Sequence, residues 1–219
     1  MKKIFVVLAA LMLSTQAQAM RISSVGDSWT VDWQVLASAT TGLSQDLSAT
    51  SYWEVTSFTA TQIALDISIT NTSVLTGLLT NADITTFGFG ITPDAKSSVQ
   101  VANIFKNSGT GNGPNQNFPG GFTGIDVCIF AQGCSGGSVN KSLHAGDTDK
   151  IQLLLSGNFT GGMADLLYVP LKFQTNLGSF EPGGCINGNG CRNIPEPSIL
   201  ALLGAGLIVM GLMRRKTRS

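Results

Sequence analysis

The side chains with reactive potential in this sequence are four cysteines, one histidine, thirteen carboxylates and three tryptophans. The cysteines form two equally spaced pairs, Cys128 with Cys134 and Cys185 with Cys191, each enclosing five residues. A structural zinc turn holds about two to four residues between ligands, because both sulfurs must aim at one metal, so this spacing is too wide. No Cys-x-x-Cys is present to depress a thiol pKa for redox catalysis. An even cysteine count in an exported chain therefore reads as disulfides. Of the three connectivities, the two local bridges are favoured, since glycines inside each loop let it close. Each closure contributes about 2–3 kcal/mol before strain is subtracted.

His144 precedes Ala145, Gly146, Asp147, Thr148 and Asp149, a neighbourhood that invites a Ser-His-Asp or metal reading. There is no Gly-x-Ser-x-Gly elbow, and nearness in sequence does not make a triad, so His144 reads as an exposed loop residue. Asp147 and Asp149, with Asn112, Asn115 and Asn117, supply hard oxygen ligands for calcium, but the ordered spacing of a calcium loop is missing. Glycoside hydrolysis needs two carboxyl groups about 5–9.5 Å apart in a cleft. Glu54 and Glu181, the glutamates of the body, sit in no recognisable context for that. The expectation is a non-enzymatic chain with no catalytic residues, no metal and no cofactor.

Trp29, Trp33, Tyr52 and Trp53 cluster early and offer rings for stacking on sugars. Trp29 and Trp33 share one face of a strand and read as core, where their large area dominates burial. Tyr52 and Trp53 are neighbours on a strand and must point to opposite faces. One of them is left as an exposed platform, and Trp53 is the candidate for a glycan contact.

The elements that must position these residues are strands. Apolar and polar residues alternate over 29–36, 52–58 and 62–70, the period of half-buried strands. Strand character resumes over 84–91, with Gly88 and Gly90 at alternating places, which marks a bulky neighbour or a bulge. Further strands are expected over 98–105, 122–130, 151–159 and 166–174, the last two joined hairpin-fashion through 160–163. The stretches 38–51 and 109–121 read as loops, 74–82 is ambiguous between weak helix and irregular connection, and 177–194 reads as a Gly/Asn-rich stalk. Roughly seven or eight short strands with Gly-bearing connections imply an all-β fold, a single antiparallel β-sandwich of jelly-roll or Ig-like kind over 20–176.

The two ends are of another kind. Lys2 and Lys3 precede the apolar run 4–13, and Ala17 and Ala19 are the small residues a signal peptidase reads, so 1–19 is a signal peptide cleaved before Met20. At the other end, 198–213 is sixteen uncharged residues, about 24 Å of helix against a hydrocarbon core of about 30 Å. Arg214, Arg215 and Arg218 can snorkel to the headgroups of a thinned bilayer and, by the positive-inside rule, keep the body outside.

Pro195, Glu196 and Pro197, the short apolar helix and the Arg-rich terminus together resemble the PEP-CTERM sorting domain of Gram-negative bacteria, over residues 194–219. The resemblance implies transient insertion in the inner membrane and processing by exosortase, an integral-membrane enzyme whose substrates accompany exopolysaccharide production. It implies delivery to the envelope surface or extracellular matrix. Size, the 71–73 region and Thr86-Phe87-Gly88-Phe89 are also similar to the small-protein subset nicknamed the cistern family.

Setting the ends aside changes the electrostatics. The formal charge of zero divides into seven cations and thirteen anions over 20–197, a net charge near −6. An acidic surface disfavours phosphate backbones, which excludes nucleic acid as a partner. The function expected is structural or adhesive, in exopolysaccharide or biofilm. A carbohydrate-binding module is the alternative, and a secreted hydrolase stands further behind.

Overall fold

Alternation builds both layers of the molecule. Over 28–35, Trp29, Val31, Trp33 and Val35 are buried while Ser28, Thr30 and Gln34 face solvent. Over 62–71, Ile63, Leu65, Ile67 and Ile69 point inward in the same way. A period of two sends every second side chain to one face, so each strand adds a stripe to a shared core.

The computed structural model describes residues 19–109, 118–137 and 139–187. Among them lie thirteen strands: β1 (Ala19–Ile22), β2 (Ser28–Val35), β3 (Leu47–Phe58), β4 (Gln62–Asn71), β5 (Ala82–Thr92), β6 (Ala95–Val101), β7 (Asn107–Gly109), β8 (Val127–Phe130), β9 (Thr148–Gly157), β10 (Ala164–Leu167), β11 (Leu171–Thr175), β12 (Gly178–Phe180) and β13 (Cys185–Ile186). One antiparallel sheet has the order β13-β2-β3-β4-β9-β6. The other is built around β5, with β8 and β7 on one side. On its other side β10 and β11 follow one another, carrying β1 and β12.

The two sheets pack face to face as the expected β-sandwich. Trp53, fully buried, ties them together: its ring stacks on Trp29 of its own sheet at 5.6 Å and meets Phe87 and Phe89 of the other edge-on at 6.1 and 5.5 Å. Its indole N–H donates to Ser51 Oγ at 2.7 Å, so the polar end is satisfied inside the core.

The glycines of β5 are explained by a second layer. Phe87 and Phe89 face the core, while the other side of the strand is covered by 118–127, where Phe118 and Ile125 form a small cluster with the disulfide. A Cβ at Gly88 would lie 2.7 Å from the Val127 carbonyl oxygen, and one at Gly90 2.5 Å from that of Gly124. Only glycine admits so close an approach.

Several expectations need correction. The stretch 47–51, read as loop, extends β3, because cross-strand pairing with β2 overrides its weak Ser/Thr/Ala pattern. Pro170 and left-handed Tyr168 (φ 42°) break 166–174 into β10 and β11. The 160–163 connection is not a hairpin, since β9 and β10 belong to different sheets. Of 122–130 only β8 is strand. The 74–82 stretch is a turn-bearing connection up to the start of β5. Residues 177–187, expected as part of a stalk, belong to the folded unit, because β12 pairs with β11 and β13 with β2. The segments 1–18 and 188–219, with Ala17, Cys191 and the sorting residues, lie outside the described residues.

Candidate functional site

The outward halves of β3, β4 and β9 supply a surface of hydrogen-bonding side chains. Register sets Tyr52 opposite Ser68 and Ser68 opposite Lys150; in the next row Glu54 faces Asp66, and Asp66 faces Gln152. Strand separation of about 4.8 Å makes each row of three about 10 Å long. With the half-exposed Val101 of β6 at its rim, the surface forms an open groove of about 460 Å³. Tyr52 is 46% exposed there. A flat ring beside carboxylate, amide, hydroxyl and ammonium groups can stack on one face of a sugar and hydrogen-bond its hydroxyls. One row further along, Thr50 donates to Asp32 at 2.7 Å, and Thr70 and Thr148 bond to each other at 2.8 Å.

Trp53, expected as the exposed platform of the pair, is not exposed. Trp53 is core and Tyr52 is the exposed member of the pair. The sequence showed that the two must diverge, but tryptophan's greater area made it the more valuable residue to bury.

His144 is the exposed loop residue expected, its side chain 57% exposed, and it has a partner that the sequence did not announce. Leu143 forms a bridge with Ile84, and the Asn71 side-chain amide donates to the carbonyls of Ala82 and Leu143 at 2.8 and 3.0 Å, clamping the two segments together. This sets the His144 Nδ1 against the buried carboxylate of Asp83, whose other oxygen accepts from Asn81 Nδ2 at 2.9 Å. Among the described residues no hydroxyl or thiol is bonded to the other ring nitrogen. Asp83 lies far away in sequence, and no local pattern announces the contact.

Of the oxygen donors the sequence offers to calcium, Asn112, Asn115 and Asn117 lie outside the described residues, and Asp149 is taken up otherwise. Its fully buried carboxylate accepts backbone N–H groups from Asn103, Ile104, Phe105 and Lys150 at 2.9–3.0 Å, and so fixes the chain leaving β6. A carboxylate used in this way is structural. Elsewhere Asp27 is held below the usual carboxylate range by the Ser23 and Ser24 backbone N–H groups in the β1–β2 turn. Arg21, beside Asp165 at 3.0 Å, is shifted up by that hydrogen bond and the carboxylate charge. Burial raises Asp126 against the opposing hydrogen bond from the Ile91 N–H, with the Asp94 charge adding to the rise.

Cys128 and Cys134 form the expected local disulfide. Cys185 is disulfide-bonded as well, to a residue outside the described ones. Ala19 and Met20, at the expected signal cleavage, open β1 and pair with Leu167 and Leu166.

Residues 193–216 match the family model described as the PEP-CTERM protein-sorting motif. No curated protein and no solved structure matches the chain. The motif carries the assignment of Pro195, Glu196, Pro197 and the basic end to an exosortase sorting signal, and so of an exported protein with membrane-associated sorting at its C-terminus. It covers none of the sandwich.

Proposed function

With the sorting motif as premise, we propose that this is a non-enzymatic, structural or adhesive protein of the cell surface or extracellular matrix, which contacts exopolysaccharide through the outer face of its six-stranded sheet. The observation that supports the reading is the groove: an exposed Tyr52 ring set among two rows of hydrogen-bonding side chains. Its openness suits a long polymer lying across strands. A hydrolase needs its reacting groups held in a water-excluding site, and the outer sheet face stands open to solvent. The His144–Asp83 pair belongs to the other sheet and serves to join two segments.

Affinity electrophoresis of the full-length chain in gels containing exopolysaccharide tests this. Tyr52→Ala removes the stacking face without touching the core, and we expect retention to weaken about tenfold, the worth of one good ring contact. Unchanged retention with intact folding would refute the glycan role of this face.

A further inference from the structure

We infer that the folded sandwich closes its own signal-cleavage site, so that removal of residues 1–19 must precede the docking of β1. The inference rests on the reading of 1–19 as a signal peptide cut before Met20. The observation is the register of β1. Ala19 stands opposite Leu167 and Met20 opposite Leu166, which puts the bond to be cut inside a paired strand. The strand is held on both faces. Met20 packs against the main core, and two residues beyond it Ile22 is fully buried. On the outer side Arg21 Nε donates to Asp165 Oδ1 at 3.0 Å.

A peptidase takes the residues on both sides of the bond as an extended segment released from other partners, so paired backbone is cut only through local opening. The rate then follows the population of the open form. Opening β1 brings Ile22 into water and undoes the Met20 packing, which leaves about one chain in a hundred open. The topology keeps the site accessible beforehand. Among the described residues β1 pairs with β10 alone, at the end of its sheet, and Arg21 and Asp165 are 144 residues apart in sequence. At about 5–20 residues per second of synthesis, the partner strand follows β1 by about 7–30 s. During that interval β1 has no strand to dock on and the bond stays open to cleavage. A chain that folds first keeps its signal peptide.

Purified signal peptidase acting on the refolded full-length chain in detergent, with a peptide of residues 1–30 as the unpaired reference, tests the inference; mass spectrometry reads the new N-terminus. The peptide is expected to be cut between Ala19 and Met20 about a hundredfold faster than the folded chain. Leu166→Ala removes the side chain opposite Met20 without altering the cleaved sequence, and should speed cutting of the folded chain about tenfold. Asp165→Ala, which removes only a partly exposed ion pair, should speed it about twofold and serves if Leu166→Ala does not fold. Folded chain and peptide cut at equal rates would overturn the inference and leave the cleavage reading standing. A folded chain cut slowly, but no faster in either variant, overturns it too. A peptide left uncut between Ala19 and Met20 overturns the cleavage reading itself.

Discussion

At 52 and 53 two adjacent residues face opposite media, and that division sets where a ligand can bind. Trp53 spends its area on both sheets, so its truncation would cost about 3–5 kcal/mol of stability and could be mistaken for lost binding. On the proposed glycan reading, Tyr52 is the residue whose loss reads on recognition alone. Asp126 offers a test of a different kind. Burial lifts its folded-state pKa, so between the ordinary carboxylate range and the raised value the folded chain holds more protons than the unfolded one. Stability therefore falls as pH rises through that window, and the cost persists above it. Asp126→Asn keeps an acceptor for the Ile91 N–H and removes the charge. Urea midpoints should show the variant modestly more stable at neutral pH, with the difference vanishing below about pH 4.

Among the elements, the 183–187 segment shows how a Gly-rich stretch can belong to a core. Gly184 N–H and the Trp33 indole both donate to the Val169 carbonyl, at 2.8 and 2.6 Å. A Cβ on Gly184 would lie 2.5 Å from Val31 Cγ1 and 2.6 Å from that carbonyl oxygen. Gly184→Ala should cost about 1–3 kcal/mol in chemical denaturation, as overpacking does. Gly183→Ala, where the nearest atom is 3.9 Å from the new Cβ, should cost far less. Equal effects of the two would argue against the packing explanation. β13 thus holds the last described residues to β2. The strands with strict alternation, β2 and β4, were legible from the sequence. The segments 177–187 and 47–51 were not, because short polar strands are stabilised by a partner's ladder and not by their own pattern.

For the whole molecule, export and sorting have a direct readout. In an exosortase-bearing host, mass spectrometry should find an N-terminus at Met20 and loss of the segment after about 195–197; an intact C-terminal helix there would count against processing. By itself the sequence determined the sorting signal, the β class and the acidic body, and it favoured the pairing of Cys128 with Cys134, because each rests on local order: composition, period and short spacing. Only the tertiary structure decided that Tyr52 and not Trp53 meets solvent, that Asp83 meets His144, that Asp149 is consumed by backbone N–H groups, and that Glu54 and Asp66 stand face to face. These depend on strand register, which is set by how whole stripes of side chains fit a common core, and no window of neighbouring residues contains that information.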